Sequence, residues 1–547
     1  MPLGGLNEIG KNMTAFEIGD NIIVIDCGMS FPDSEMFGID VVIPDFSYIE
    51  ENANRVRAIV LTHGHEDHIG GIPFLLKKLN VPIYGTPLTL GLVQSKLNEH
   101  GLRGKLKRIG AGQKIKIGPF EIEAIRVTHS IADCLCFAIK TPIGVIFHTG
   151  DFKIDYTPVD GDPIDFQKLA EIGSRGVHLM LSDSTNAVRA GYTQSERKLS
   201  SVLDSAFSSA TGRIIIATFA SNVHRIQTII DTAVKNKRKV ALSGRSMEKV
   251  LKLSVEMGYI KIPQNTLVDL NEIKTIPDHR LVIITTGSQG EPLSALVRMA
   301  NHDHRAVNIK RGDRIILSSS PIPGNEKMVS AVIDKLFELG ADVIYSDVAD
   351  IHVSGHAREE ELKLMLRLIK PNYFLPVHGE YRHMHAHALI AEDLGIPTKN
   401  IFVMRNGQIL ETDGKKISLS KKTVPADPVL VDNLKMTDGV NDIASAVLRD
   451  RKQLSESGMI IVAATLEANS NRLVSGPEIL TRGFIYVRDN EDIMEKLKNI
   501  ASERLQQFET RKRVDRSIIN NAVRDDLRKF VNTKTKRAPI IMCVFME

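Results

Sequence analysis

The chain has no tryptophan, only four cysteines in 547 residues, and no long uninterrupted apolar run. Each absence excludes a class. No stretch approaches the ~20 consecutive apolar residues of a membrane-spanning helix, so no membrane partner is expected. The N-terminus carries no basic segment followed by an apolar run, and no secretory signal is visible. Strand-like sequence begins almost at once, which leaves room for a short native extension ahead of Met1. Cys27, Cys134, Cys136 and Cys543 are too few for a disulfide framework, and Cys134-Leu135-Cys136 lacks the partner pair of a structural zinc site. They read as buried or incidental thiols of a reducing cytoplasm. Charge of either sign is not in excess: 70 Lys and Arg against 66 Asp and Glu leave +4. That is too little over this length to name a nucleic acid as partner.

What is present is enough chain for roughly three or four domains. The first two hundred residues read as short strands bounded by Gly, Pro and Asp: residues 22–25, 58–61, 145–147 and 177–181. Each run is long enough for a buried strand and too short for a helix. Chemically capable residues follow each strand's C-terminal end, where loops on a rigid sheet carry function. From about Ser195 the rhythm becomes strand–helix. Runs at 213–218, 240–242, 281–285 and 314–317 end in Gly, Ser and Thr, and a helix is expected from 220 to 229. This predicts a parallel sheet with covering helices, whose loop N–H groups and hydroxyls suit phosphate. Near Val343 short strands return, with one at 373–377 ending at His378. A polar stretch at 421–433, with Pro425 and Pro428, reads as a linker. Beyond it, strands at 460–466, 484–487 and 540–545 and helices at 492–507 and 516–531 predict a small α+β domain.

The segment His63-Gly64-His65-Glu66-Asp67-His68 packs four potential metal ligands into six positions. Alternation at a strand end sends His63 and His65 to one side, and a turn then offers Asp67 and His68 to a second metal. Neutral imidazole and carboxylate suit zinc, with manganese the second choice. Four ligands do not complete two sites. His129 follows a strand-like segment and supplies a third imidazole for the first metal, Asp151 can bridge both, and His378 closes the second site. Two metals ~3.5–4 Å apart hold a hydroxide that attacks in line, with Asp67 orienting it and accepting its proton. Asp26 is placed to hold a ligand imidazole by its other N–H. His148 reads equally as a ligand or as a structural residue.

His63-X-His65-X-Asp67-His68, with His129, Asp151 and His378, resembles the metallo-β-lactamase superfamily, whose members share a fold but not a substrate. The insert resembles a β-CASP domain, with Asp183 in Ser182-Asp183-Ser184-Thr185-Asn186, His356 in His352-Val353-Ser354-Gly355-His356, and His378 as the matching motif residues. Further segments extend the resemblance over nearly the full length to the ribonuclease J family. They include Leu3-Gly4-Gly5-Leu6-Asn7-Glu8-Ile9-Gly10-Lys11-Asn12, Thr218-Phe219-Ala220-Ser221-Asn222, Ser318-Ser319-Ser320-Pro321 and Thr535-Lys536-Arg537-Ala538-Pro539. Every ligand position is filled, as in the active members. The chain departs from the family's pattern in its abrupt start, which lacks the usual lead-in residues.

The resemblance implies an α/β fold: a metallo-β-lactamase αββα sandwich (residues 1–195 and 351–420), an inserted β-CASP parallel α/β domain (196–350), a linker (421–444) and a C-terminal α+β domain (445–547). It implies two Zn2+ per subunit, with Mn2+ an alternative, and hydrolysis of single-stranded RNA to 5′-phosphate and 3′-hydroxyl ends by 5′→3′ exonucleolytic and internal cutting. His356 would stabilise charge on the phosphate and protonate the leaving oxygen, with Asp183 orienting it. A pocket for a 5′-monophosphate is expected from Ser221, Asn222, His352, Ser354 and Gly355, beside His356. Phe31 is a candidate for stacking on a base, and a core or lid role suits it equally. The basic runs Lys421-Lys422, Arg511-Lys512-Arg513 and 534–537 track phosphates or simply form solvated faces. Assembly as a homodimer or homotetramer through the C-terminal domain, RNA-decay partners and a cytoplasmic location follow from the same resemblance. A β-CASP DNA nuclease, an endonuclease without exonucleolytic activity, and an RNA-binding scaffold with little turnover are the competing readings.

Overall fold

The strands of the N-terminal half are short because Gly, Asp or Pro interrupts each apolar run. In the computed structural model they form, together with one strand from beyond the insert, two six-stranded sheets. The first runs in the order Pro2–Gly4, Met13–Ile18, Asn21–Ile25, Val56–Val60, Pro82–Gly85, Lys105–Arg108. The second is ordered Pro371–Val377, Val177–Asp183, Gly144–His148, Leu135–Thr141, Phe120–Arg126, Lys114–Ile117. Alternation along each strand sorts side chains between two layers. Ile23, Ile25, Ala58 and Val60 meet Phe120, Ile122, Ala124, Leu135, Phe137 and Ile139 in one core. The intervening Cys136, Ala138, Phe147 and Met180 belong to a second. Phe137 is fully buried, and truncating it to Ala costs about 3–5 kcal/mol.

The structure describes residues 1–547 except 34, 160, 292, 322–324, 347, 350, 433–444, 468–469, 486–489, 510–513 and 547. The chain divides into one unit of Met1–Phe31 with Val41–Val429, and another of Pro32–Asp40 with Leu430–Glu547.

Within the first unit the insert is an all-parallel five-stranded sheet, in the order Lys239–Ser243, Leu281–Thr285, Ile214–Ala217, Arg314–Leu317, Asp342–Ile344. Its central strands read as continuous apolar runs because both faces are covered. Ile214, Ile216 and Val282 pack with helices Arg197–Ser208 and Val223–Lys235, whereas Ile215, Ile283 and Ile315 pack with Ala295–Ala300 and Glu326–Glu338. The helix expected from 220 begins at Val223, capped by the Asn222 side chain, and continues to Lys235.

After the insert the chain returns to the second sheet, where Pro371–Val377 pairs in parallel with Val177–Asp183. Short strands were expected between Val343 and the linker. Two helices, Glu359–Ile369 and Tyr381–Asp393, flank that strand instead. Buried Leu362, Met365, Leu366 and Ile369 recur at helical spacing behind an acidic first turn. The expected linker at 421–433 overlaps a strand, Ile417–Thr423, that pairs with Gln408–Thr412. Its polar residues are exposed, so composition hid a two-stranded hairpin.

In the second unit, Leu473–Arg482, Met459–Leu466 and Ile540–Met546 form a sheet in that order. Ile460, Val462 and Leu466 face Leu497, Leu505, Ile519 and Leu527 of helices Glu491–Glu509 and Arg516–Thr535. A third helix, Ser445–Ser457, precedes them. The strand expected at 484–487 is not one at Phe484 and Ile485, and residues 486–487 lie outside those described, as does the basic run 511–513. The strand Leu473–Arg482 was missed because Gly476-Pro477 breaks its apolar pattern. Among the described residues no helix is long and apolar enough to cross a membrane.

Candidate active site

Five strands of the first unit deliver their C-terminal ends to one place. Val56–Val60 leads into His63, Phe120–Arg126 into His129, Gly144–His148 into Asp151, Val177–Asp183 ends on Asp183, and Pro371–Val377 leads into His378. His65 stands at the start of the short helix Glu66–Ile69, whose turn presents Asp67 and His68 beside the first pair, with the His68 ring 4.1 Å from that of His63 between centroids. Two non-glycine residues here have left-handed backbone: Asp26 (φ 59°) and His378 (φ 54°). Such conformations cost free energy and persist where the surroundings over-determine them. The carboxylate of Asp26 accepts from the Thr62 N–H and hydroxyl, both at 2.8 Å. The His378 N–H is bound by the carbonyl of Gly5 at 2.9 Å.

Among the described residues the ligand atoms fall into three sets, and within each they lie within 4.8 Å of one another: two gather the residues expected to hold metal, and a third joins Asp151 and His378 to Asp183 and His356. In the first, Nδ1 of His65 is 3.0 Å from Nε2 of His63 and 3.1 Å from Nε2 of His129. The His129 Nδ1–H donates to the carbonyl of Gly355 at 2.7 Å, which leaves a lone pair on Nε2. Imidazole nitrogens facing each other in this way are what a tetrahedral cation takes, since Zn–N bonds of about 2.0–2.1 Å set them roughly 3.3 Å apart. In the second group are Asp67, His68, Asp151 and His378. The His68 Nδ1–H donates to Asp26 at 2.8 Å, and Nδ1 of His378 is 2.6 Å from the Thr185 hydroxyl, so each presents Nε2 inward. Oδ2 of Asp151 reaches both groups: it is 3.2 Å from Nε2 of His68 and 3.8 Å from those of His63, His129 and His378. Imidazoles oriented by hydrogen bonds at their far nitrogens, around a shared carboxylate, fit a pair of divalent metal ions.

Burial, reinforced by the neighbouring imidazoles, holds His63 and His129 well below the ordinary histidine range. Burial also brings His65 down to about 4. These rings are therefore neutral at pH 7, the form a metal binds. Burial opposes charge on His378 too, but Asp151, Asp183 and Asp67 outweigh it and raise the ring to about 10. Asp67, Asp151 and Asp183 fall below the usual carboxylate range: burial works against their ionisation, and the imidazoles of His68, His378 and His356 prevail.

His356 stands at the rim, partly exposed, with Nδ1 2.8 Å from Oδ2 of Asp183 and 3.9 Å from Asp151. The other residues singled out in the sequence meet this centre unevenly. Ser354 accepts from the Asn186 amide at 2.8 Å and from the His356 N–H at 3.2 Å, which makes it a brace of the loop. His352 turns toward Arg225, its Nδ1 3.4 Å from Nη1. Asn222 spends its side-chain oxygen on capping. His148 accepts from the Gly150 N–H at 3.1 Å and braces the turn before Asp151. Phe31 is 69% exposed, and among the described residues it makes no ring contact.

Three contributors were not singled out. The Asn12 amide lies 3.1 Å from both the Asp67 carbonyl and Nε2 of His68. The Thr185 hydroxyl links Asp183 and His378. Asn186 donates to Ser354 and to the His356 carbonyl. All three lie inside segments quoted for the family resemblance, but nothing in their spacing assigns a role.

Four family models match the chain: the metallo-beta-lactamase superfamily at residues 6–163, the ribonuclease J beta-CASP domain at 211–336, the Zn-dependent metallo-hydrolase RNA specificity domain at 340–404 and the ribonuclease J C-terminal domain at 446–547. Ribonuclease J 1 of Streptococcus pyogenes serotype M3 is 45% identical over 99% of this chain and 96% of its own length. Ribonuclease J2 of Bacillus subtilis is 44% identical over 100% and 98%, and ribonuclease J of Thermus thermophilus 43% over 100% and 95%. A solved protein of unknown function from Enterococcus faecalis V583 shares the fold, with a TM-score of 0.52 at 17% identity over 76% of this chain and 98% of that one. Two-group imidazole and carboxylate geometry and full-length similarity agree: this chain belongs to the ribonuclease J family and is a metal-dependent ribonuclease.

Proposed function

We propose that the chain degrades single-stranded RNA from the 5′ end, cuts RNA internally as well, and prefers a 5′-monophosphate terminus. The observation that carries the reading is Oδ2 of Asp151, which lies 3.2–3.9 Å from a nitrogen of His63, His68, His129, His378 and His356. One carboxylate thus faces both ligand groups and the candidate proton donor.

His63, His65 and His129 would hold one metal, Asp67, His68 and His378 the other, and Asp151 both. Imidazole-rich coordination favours zinc, with manganese the alternative. The pair supplies Lewis acidity toward the phosphoryl oxygens and lowers the pKa of water. Asp67 orients the attacking water and accepts its proton, while Asp26 fixes the His68 ring. Asp183 binds Nδ1 of His356, so that Nε2 is the nitrogen that donates, first to a non-bridging oxygen and then to the leaving 3′-oxygen. The products carry 5′-phosphate and 3′-hydroxyl ends.

Ser221, Asn222, Ser354 and Gly355 form the 5′-phosphate pocket, at the start of helix Val223–Lys235 and beside His356. Phe31 stacks on a base. We assign residues 1–195 and 351–420 to the hydrolase domain, 196–350 to the insert and 445–547 to a C-terminal domain that joins subunits into a dimer or tetramer. The setting is cytoplasmic RNA decay and maturation.

The test is product analysis on single-stranded RNAs carrying a labelled 5′-monophosphate or 5′-hydroxyl, with wild type and Asp151→Ala. Nucleotides released stepwise from the monophosphorylated end, absent with Asp151→Ala, are the expected result. Equal rates for both ends would remove the pocket, and internal fragments alone would remove the exonuclease.

A further inference from the structure

Arg225 is completely buried, yet it is charged and lies outside the two ligand groups. It projects from the first turn of helix Val223–Lys235, and its guanidinium spends its donors in three directions. Toward the start of the insert, Nε and Nη2 donate to the Glu196 carboxylate at 3.3 and 2.7 Å. Toward the parallel sheet, Nη1 donates to the Ser318 carbonyl at 2.5 Å. Toward the loop that carries His356, Nη2 donates to the Val353 carbonyl at 3.1 Å and Nη1 lies 3.4 Å from Nδ1 of His352. Ser318 completes the grip by donating its hydroxyl to the Ile351 carbonyl at 2.7 Å. Three consecutive residues, 351–353, are thus pinned to the insert, and His356 follows three positions later.

The far side of the same loop is held by the hydrolase domain. Asn186 and Thr193 donate to the His356 carbonyl at 3.1 and 2.7 Å, and His129 donates to that of Gly355. A buried ion pair adds little stability over well-packed apolar residues, so its presence here argues for specificity of position. Only a planar fork serves these directions together; a lysine ammonium on a flexible stem would not.

We propose that Arg225, backed by Glu196, is a positioning residue. It locks residues 351–353 to the insert and thereby sets the His356 ring against Asp183. This rests on the reading of His356 as the proton donor. Because the Asn222 side chain caps the Arg225 N–H at 3.0 Å, the same link ties the proposed 5′-phosphate pocket to His356.

The experiment compares Arg225→Lys, Glu196→Gln, His356→Ala and the Arg225→Lys/His356→Ala double variant of the full chain. Single-turnover rates and KM on a 5′-monophosphorylated RNA are read together with bound metal and thermal midpoint. Arg225→Lys should lower kcat by about 10–100-fold, the scale of a small misplacement of a reacting group, with KM and metal content unchanged. The double variant should be no slower than His356→Ala. Wild-type kcat in a folded Arg225→Lys protein, or losses that multiply in the double variant, would overturn the proposal. Should Arg225→Lys fail to fold, Glu196→Gln, alone and combined with His356→Ala, is judged by the same two criteria. Full turnover by His356→Ala is a separate result: it removes the proton-donor reading, whatever Arg225→Lys does.

Discussion

Gly355 stands so close to His129 that a Cβ at position 355 would lie 2.5 Å from Cε1 of the ring and 2.7 Å from Nδ1. The glycine lets the loop carbonyl come within 2.7 Å of the His129 Nδ1–H and hold the ring. Gly355→Ala must therefore move either the loop with His356 or the His129 ring. Overpacking of this kind costs about 1–3 kcal/mol, and here it falls on a metal ligand. Metal content should drop, and activity with it. Full metal occupancy at wild-type kcat would show that the loop yields without disturbing the ring.

Asp183 accepts from His356, from Thr185 and, at 3.4 Å, lies near Nδ1 of His378. Asp183→Asn keeps the volume but removes the carboxylate that orients His356. A loss in kcat of about 10²–10⁴-fold is expected, the range for a disabled proton-transfer group. Single-turnover rates at matched metal content check it, and a variant within a few-fold of wild type would count against the pairing.

Much of this centre is local in sequence, which is why it was legible there. Four candidate ligands stand in six consecutive positions, and the distant ones could be found because each follows an apolar strand-like run. What sequence could not supply is partnership across the insert. Arg225 finds Glu196 29 residues back and Val353 128 ahead. Glu361, completely buried, accepts from the N–H groups of Ile154, Thr193 and Arg358. On a helix with an acidic first turn such a glutamate reads as one more solvated charge. The helix itself was visible in its spacing and was passed over because strand-like residues adjoin it.

Gly173, on helix Phe166–Arg175, meets helix Glu359–Ile369 where a Cβ would lie 1.9 Å from the Leu368 carbonyl. Leu368 is near the end of its helix opposite to the His356 loop, so the strain of Gly173→Ala falls away from the chemistry. The thermal midpoint should fall, by an amount in keeping with about 1–3 kcal/mol, while kcat per folded molecule stays unchanged. Unaltered stability would mean the helices separate freely. A specific loss of kcat would mean the strain reaches His356.

Burial pushes the Cys136 thiol up and the Cys543 thiol to about 11. A raised thiol pKa leaves the protonated, unreactive form at neutral pH, and reactivity grows only as pH climbs toward the shifted value. Iodoacetamide at pH 8 should leave Cys136 unlabelled in the native protein. Cys543, partly accessible, should react slowly and faster at pH 10. Mass spectrometry of the peptides decides it, and rapid labelling of Cys136 at pH 7 would contradict its burial.

Chelation should abolish cleavage without unfolding the chain. The carboxylates of the centre are held by protein groups of their own: Asp26 by Thr62 and His68, Asp67 by His378, Asp183 by His356 and Thr185, and Asp151 by His68. The sheets that present them rest on apolar cores, in which Ile25, Val60 and Phe137 are buried. Returning zinc or manganese should then raise the thermal midpoint in proportion to the logarithm of free metal over Kd, about 2.7 kcal/mol at a hundredfold excess. In Asp151→Ala that increment should shrink for both ligand groups at once, because one oxygen faces both. His65→Ala should weaken only the group containing His63 and His129, leaving roughly one metal bound per chain. Stoichiometry and melting measured together separate the cases. Loss of a single metal in Asp151→Ala would show that the carboxylate serves one group alone.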